Sequence, residues 1–123
     1  MPSQIKVPGP DHPITIEAEP RRVVVRVGGK VVAETSAALV LQESTYPPVR
    51  YIPLADVDRS VLTPSTTSTY CPYKGDCSYH GVDTADGVVE DALWFYDAPY
   101  PAVARIAGHV AFYGDRAEIT VGE

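Results

Sequence analysis

Residues 22–33 read RVVVRVGGKVVA, and this stretch decides the fold class. Val23, Val25 and Val27 fall on one side of an alternating pattern, which is typical of a β-strand with one buried face. Gly28-Gly29 follows at once. Two glycines between alternating runs predict a two-residue hairpin turn, because glycine adopts positive φ angles without steric cost.

Similar patterns along the chain extend this prediction. Short apolar or alternating runs predict strands at 14–16, 37–42, 50–53, 88–96, 106–113 and 117–121. The run at 37–42 also suits a helix, since its Ala-Ala-Leu segment has high helix propensity. Prolines flank residues 50–53 and predict an edge strand, because proline donates no hydrogen bond to a neighbour. Twelve prolines and nine glycines favour many short strands and turns.

These elements predict an all-β fold for the 123-residue chain. We expect a Pro/Gly-rich arm over residues 1–13 and one compact domain of antiparallel strands, a sandwich or small barrel, over residues 14–123. At most one or two short helical turns are expected. One is placed at 56–62 with Asp56 as its N-cap, and a polar loop is predicted at 64–68.

Charge and targeting signals narrow the class of partner. The net charge is −6, and Lys and Arg cluster only at Arg21-Arg22 and Arg26, so the basic surface of a nucleic-acid binder is missing. No apolar run approaches the roughly 18 residues that a membrane span needs, and no secretory signal is visible. We expect a cytoplasmic protein with reduced cysteines that binds neither nucleic acid nor membrane.

Residues 69–79, TYCPYKGDCSY, concentrate the reactive side chains. If the flanking segments pair as a hairpin, Cys71 and Cys77 lie across from one another and a disulfide is permitted, although the cytosol disfavours a permanent one. Cys71 near Lys74 suits a reactive thiol instead, because an ammonium favours the thiolate. The competing interpretation is that Cys71 is a small buried hydrophobe.

A metal site is a further alternative. Cys71, Cys77, His80 and His109 are ligand types that zinc prefers, but the gap between the cysteines is wider than the roughly two to four residues of most zinc motifs. We therefore predict no metal and no cofactor.

Other side chains fit a ligand pocket. Lys74 precedes a glycine that lets the backbone approach a ligand, so its amine is placed to meet an anionic group. Trp94 suits either the core or a wall that stacks on a planar ligand. Arg22, Arg50 and Tyr51 are candidate anion and hydroxyl contacts, with surface ion pairs as the alternative for the arginines.

A transferase site has weaker support. Two-metal transferases need carboxylates that converge on magnesium, and close carboxylate pairs occur at 56–58 and 90–91. No glycine-rich phosphate loop accompanies them. Helix capping explains Asp56 equally well.

An ordered series of residues resembles the bacterial and fungal domain-of-unknown-function family 427. The series covers the chain from about Arg21 to Tyr113 and consists of Arg22-Val23, Gly28-Gly29, Ala33-Glu34-Thr35, Tyr46-Pro47-Pro48, Tyr51-Ile52-Pro53, Asp56-Val57, Thr69, Cys71-Pro72-Tyr73-Lys74-Gly75, Tyr79, Asp91, Trp94, Ile106-Ala107-Gly108 and Val110-Ala111-Phe112-Tyr113.

The resemblance implies an all-β, β-tent-like domain and says little about activity, although the family sometimes carries a nucleotidyltransferase-type label. Its motif residues correspond here to Tyr51, Thr69, Cys71, Lys74 and Trp94, a set suited to one pocket. Three positions depart from the family pattern. Cys77 stands where a small residue is expected, His80 where an aromatic is usual, and Phe95 where a small polar residue is common.

We predict a β domain that binds a small anionic or planar ligand around the Cys-Pro-Tyr-Lys-Gly motif. Lys74 would contact the anionic group, Trp94 would stack on the ligand, and Cys71 would contact it or react. One alternative is a nucleotidyltransferase-type enzyme, with Cys71 and Lys74 as catalytic candidates. Another is a non-catalytic interaction or oligomerisation module, for which the sequence leaves a homodimer open.

Overall fold

Ten antiparallel strands in two sheets make up most of the molecule. The computed structural model describes residues 5–122, which form one compact domain. The strands are β1 Ile14–Glu19, β2 Val23–Val27, β3 Lys30–Thr35, β4 Ala38–Glu43, β5 Val49–Pro53, β6 Leu62–Cys71, β7 Gly75–Thr84, β8 Gly87–Phe95, β9 His109–Phe112 and β10 Glu118–Val121. Within residues 5–122, helix is limited to the 3-10 segments Leu54–Asp56, Arg59–Val61 and Pro101–Ile106, one more than expected. The all-β prediction is confirmed.

The larger sheet has seven strands in the order β1-β4-β5-β9-β8-β7-β6, and the smaller sheet has the order β10-β2-β3. The predicted hairpin is β2 and β3. Its turn residues Gly28 and Gly29 have φ angles of 60° and 80°, as a type I′ turn requires. The run at 37–42 forms β4, with Leu39 and Leu41 both buried. The helix alternative for that run is excluded.

The main hydrophobic core lies between the two sheets. Val23, Val25 and Val27 expose 1% or less of their surface, so the buried face predicted for β2 is confirmed. They pack in one cluster with Ile52 and Leu93 of the larger sheet. Each fully buried side chain of this size contributes about 1.5–3 kcal/mol to folding.

The opposite face of the larger sheet is covered as well. There Leu41, Tyr51 and Ala111 cluster with Val103 and Ile106 of the Pro101–Ile106 segment. Alternate residues of a strand point to opposite faces, so the central strands supply side chains to two separate apolar layers. The second layer holds the candidate site.

The polar loop predicted at 64–68 is wrong, because these residues lie within β6. A bulge between Pro64 and Ser68 interrupts the pairing with β7 and accommodates a proline that donates no ladder hydrogen bond. The carboxylate of Asp91 accepts hydrogen bonds from the hydroxyls of Ser65 and Thr67 at 2.5 and 2.6 Å. Asp91 thereby ties the bulge to β8.

The edge position predicted for residues 50–53 is also wrong. β5 lies inside the larger sheet, where Tyr51 pairs with β4 and Ile52 pairs with β9. Pro48 precedes the strand and Pro53 ends it. The prolines therefore flank the central pairs without interrupting them.

The helical turn predicted from Asp56 is capped by a different residue. Asp58 is the N-cap of the segment Arg59–Val61, and its carboxylate accepts a hydrogen bond from the Ser60 amide at 3.1 Å. The Asp56 carboxylate instead accepts a hydrogen bond from the Thr35 hydroxyl at 2.6 Å. Asp56 therefore connects its segment to β3.

The strand predicted at 106–113 is shorter than expected. Ile106 ends a 3-10 segment that begins at Pro101, and proline is well suited to a first helical position. Gly108, with a φ of 73°, redirects the chain into β9. Ala111 and Phe112 are both buried, so β9 contributes to both apolar layers.

Of the arm expected at residues 1–13, residues 1–4 lie outside the described part of the chain. Within the remainder, the Lys6 amide donates to the Pro72 carbonyl at 2.9 Å, and Gly9 and His12 form a bridge. This segment therefore contacts the turn between β6 and β7. Residues 5–122 include no helix with the length and hydropathy of a membrane crossing.

Gly81 tests how tightly β6, β7 and β8 are packed. A Cβ at this position would lie 2.5 Å from the Thr63 hydroxyl oxygen and 3.0 Å from the Val89 carbonyl oxygen. Because the carbonyl belongs to the backbone of β8, Gly81→Ala should lower the free energy of unfolding by about 1–3 kcal/mol. Gly114→Ala is the matched control, since its Cβ would meet nothing within 4 Å. Equal urea midpoints for the two variants would contradict the expectation.

Candidate functional site

One row of residues crosses four neighbouring strands on the second face of the larger sheet. Tyr79 of β7 pairs with Trp94 of β8, and Trp94 pairs with Ala111 of β9. The register of β5 and β9 places Tyr51 opposite Ala111. Directly opposed residues point to the same face, so Tyr51, Trp94 and Tyr79 lie side by side with the small Ala111 leaving space among them.

A cavity of about 260 Å³ lies over this row. Its walls are largely aromatic and include Tyr46, Tyr51, Tyr79, Trp94, Tyr96 and Tyr113. Leu41, Val49 and Cys77 add apolar surface, and Glu43 and Lys74 add charge. An apolar cavity with a few convergent polar groups is the usual form of a small-molecule site.

The rings of the cavity wall hold one another in place. The Trp94 indole N–H donates to the Tyr51 hydroxyl at 3.3 Å, and the two rings meet edge to face. The centroid of Trp94 lies 4.5 Å from that of Tyr113. Such aromatic contacts stabilise beyond the area they bury, so the wall is largely formed in the absence of ligand.

The phenols in this wall stay neutral over a wide pH range. Burial raises the pKa of the Tyr51 and Tyr96 hydroxyls well above their ordinary value. Burial and a hydrogen bond to Tyr113 raise the pKa of Tyr79 to about 12, against the opposite effect of its hydrogen bond with Thr69. These hydroxyls therefore offer polar contacts without adding negative charge.

Lys74 is buried at the end of the cavity, with 7% of its surface exposed. Its ammonium donates to Oε1 of Glu43 and lies 3.8 Å from Sγ of Cys71. The Lys74 carbonyl accepts a hydrogen bond from the Tyr100 amide at 3.0 Å, which fixes the turn between β6 and β7. Lysine is rarely buried unless paired, so the contact with Glu43 accounts for its position.

Glu43 joins this turn to the arm. Its Oε2 atom lies 2.8 Å from Nε2 of His12, whose ring stacks on Tyr73 at a centroid distance of 4.2 Å. Burial alone would raise the pKa of Glu43, but the hydrogen bonds from Lys74 and His12 outweigh it and hold the pKa below its ordinary value. The carboxylate is therefore ionised at neutral pH.

The expectation that Cys71 and Cys77 face each other is wrong. Cys71 pairs with Gly75 and Cys77 with Thr69, because the hairpin turn consists only of residues 72–74. Cα atoms of diagonal neighbours are about 7–8 Å apart, beyond the roughly 4.4–6.8 Å that a disulfide spans. Both cysteines are free thiols. Cys77 lines the cavity, whereas Cys71 is not among its lining residues and contacts it only through Lys74.

The structure brings most of the predicted site residues together. Tyr51, Lys74 and Trp94 line the cavity, and Cys71 contacts Lys74. Thr69 is exposed, and its hydroxyl lies 2.8 Å from that of Tyr79, so it supports a wall residue from outside. Their role in ligand binding stays a prediction.

Sequence reasoning missed Glu43 and His12. Extending the alternation of Leu39 and Leu41 by one step places Glu43 on the same inward face, so a carboxylate that continues a buried pattern was the available signal. His12 carried no such signal, because it precedes the first strand and meets Glu43 only through the tertiary fold.

The four residues considered as zinc ligands, Cys71, Cys77, His80 and His109, do not form a metal site. Within residues 5–122 no three His, Cys, Asp or Glu side chains form a group that could hold a metal ion. Nδ1 of His80 lies 3.2 Å from the Thr63 carbonyl oxygen, and Nδ1 of His109 lies 2.8 Å from that of Ala107. The imidazoles are occupied by local contacts and do not converge with the cysteines.

The arginines proposed as anion contacts have protein partners instead. Arg22 forms an ion pair with Glu34, and Nε of Arg50 lies 3.2 Å from Oε1 of Glu19. Neither arginine lines the cavity. Arg22 and Glu34 form a surface ion pair, as the alternative interpretation expected, whereas the Glu19 partner of Arg50 is buried.

A protein-family model described as a domain of unknown function (DUF427) matches residues 15–123. The match spans nearly all of β1 and every later strand, and it includes the residues around the cavity. The family resemblance recognised in the sequence is confirmed. His12 precedes the matched region. A comparison with curated proteins found none that matches the chain.

The lowered pKa of Glu43 predicts an acid-sensitive contribution to stability. Below the ordinary value of 4.5, the unfolded chain takes up a proton at Glu43 before the folded chain does, so stability falls as the pH falls. Wild type should therefore lose more of its free energy of unfolding than Glu43→Gln between about pH 5 and 3.

Urea unfolding at a series of pH values measures this difference. Glu118→Gln, on the exposed strand β10, is the control and should follow wild type. Parallel curves for wild type and Glu43→Gln would contradict the expectation.

Proposed function

Because the chain belongs to the family described as a domain of unknown function (DUF427), we propose its function from the cavity itself. The protein binds a small molecule that carries a planar ring. The observation that carries this proposal is the row of Tyr51, Trp94 and Tyr79, which forms one aromatic wall beside the partly buried Lys74–Glu43 pair. Aromatic faces favour stacked or edge-to-face contacts with a second ring.

The arrangement supports a planar ligand more strongly than a simple anion. The Lys74 ammonium is already paired with Glu43, and that carboxylate would repel an anion brought beside it. The phenols of the aromatic wall stay neutral and so do not repel a neutral planar ligand. Ring stacking therefore supplies affinity, and the ion pair supplies hydrogen bonds that orient the ligand.

The size of the cavity supports a small ligand. Its volume of about 260 Å³ is just below the roughly 300–1,000 Å³ of sites for drug-sized molecules. One ring or a fused pair with a short polar group suits this space. A nucleoside triphosphate would need more room and cations for its phosphates, whereas Lys74 is the sole Lys or Arg among the described lining residues.

No specific contact supports the two alternative functions, a transferase and an interaction module. A transferase needs carboxylates that converge on magnesium, but Asp56 contacts Thr35 and Asp58 caps its own segment. An interaction module would use an exposed edge strand. The edges of the larger sheet are β1 and β6 and those of the smaller sheet are β10 and β3, and at β6 the bulge disfavours pairing with another chain. We also propose a cytoplasmic location, which the free thiols of Cys71 and Cys77 support.

Intrinsic fluorescence tests the proposal directly, because Trp94 is the single tryptophan of the chain. Benzamide and cyclohexanecarboxamide share one polar group and differ in whether the ring is planar. Benzamide should change Trp94 emission with a dissociation constant in roughly the millimolar to micromolar range expected of so small a ligand. Cyclohexanecarboxamide should bind about tenfold more weakly, since it loses the stacking contribution. Equal binding of the two would refute a planar-ring site.

Variants of two tyrosines locate the binding. Tyr79→Leu removes a wall ring while keeping apolar bulk and should weaken benzamide binding about three- to tenfold. Tyr100→Phe is the control, because Tyr100 contacts Tyr70 and is not among the cavity residues. An affinity unchanged in Tyr79→Leu would place the ligand elsewhere.

A further inference from the structure

The charges at the end of the cavity restrict the ligand further. Lys74 and Glu43 are the two charged side chains among the described lining residues, and they cancel. Tyr51, Tyr79 and Tyr96 have raised pKa values and add no charge near neutral pH. The cavity is therefore electrically neutral and contains one fixed positive and one fixed negative group.

Both groups have capacity for a further hydrogen bond. An ammonium has three donors and each carboxylate oxygen accepts more than one hydrogen bond. Within the described residues, the Lys74 ammonium contacts Glu43 and, at 3.8 Å, the Cys71 sulfur. Oε1 of Glu43 is contacted by Lys74 and Oε2 by His12. Neither group is saturated by these contacts.

A ligand with one charge would disturb this balance. A buried anion beside Glu43, or a buried cation beside Lys74, is desolvated and faces a like charge, and both effects oppose binding. A zwitterion preserves neutrality. Its carboxylate accepts from Lys74 and its ammonium donates to Glu43, and charge-assisted hydrogen bonds of this kind are the strong ones.

Building on the proposed ring-binding function, we propose that the ligand is a small aromatic zwitterion of the α-amino-acid type. Its ring lies against the wall formed by Trp94 and Tyr79. Its carboxylate and ammonium lie on Lys74 and Glu43 respectively. Each charge of the ligand thus contacts the oppositely charged member of the Lys74–Glu43 pair.

Three related probes test this assignment through Trp94 emission near pH 7.5. L-phenylalanine carries both charges, 3-phenylpropanoate lacks the ammonium, and phenethylamine lacks the carboxylate. L-phenylalanine should bind at least about tenfold more tightly than either analogue, because each analogue forfeits one charge-assisted hydrogen bond. If either analogue binds as tightly as L-phenylalanine, the inference is overturned.

Two variants should reverse the preference. Glu43→Gln removes the negative group, so 3-phenylpropanoate should bind more tightly than L-phenylalanine. Lys74→Met removes the positive group, so phenethylamine should be the preferred probe. If a folded variant binds none of the three probes, or binds them in the wild-type order, the two residues have a purely structural role and the assignment is overturned. Glu118→Gln is the control and should keep the wild-type order.

The outcomes separate this inference from the function on which it rests. Benzamide binding without an advantage for L-phenylalanine would leave the ring-binding function standing and overturn the zwitterion. No binding of any ring compound would overturn both. If a variant does not fold, as judged by circular dichroism, the three probes on wild type decide the question.

Discussion

The ion pair between the buried Lys74 and the half-buried Glu43 is the interaction on which the site depends. It joins the turn between β6 and β7 to the end of β4, two segments that lie 31 residues apart in sequence. Burying two charges is costly unless both are well hydrogen-bonded, and His12 supplies a further partner for the carboxylate. Three separate parts of the chain must therefore be in place before the cavity is closed at this end.

The second constraint is the burial of the larger sheet on both faces. One face packs on the smaller sheet, and the other is covered in part by Val103 and Ile106. Because side chains alternate, β5 and β8 each place an aliphatic side chain toward the main core and an aromatic one toward the cavity, as Ile52 and Tyr51 do in β5. The rigid core thus sets the positions of the cavity rings.

Local patterns in the sequence were sufficient for some elements. The hairpin at Gly28-Gly29 and the buried face of β2 depend on the residues beside them, so alternation and turn chemistry predicted them correctly. The same reasoning failed for residues 64–68, which it predicted to be a polar loop. Its strand conformation depends on Asp91, more than twenty residues away in sequence, which satisfies the hydroxyls of Ser65 and Thr67.

The site itself was predictable only in part, for the same reason. Tyr51, Lys74 and Trp94 were found because their residue types and the family motif point to a pocket. The partner that gives Lys74 its chemistry was not found, because neither charge nor spacing links it to Glu43. The hairpin register was missed as well. The spacing of Cys71 and Cys77 allowed a pairing that a three-residue turn does not form.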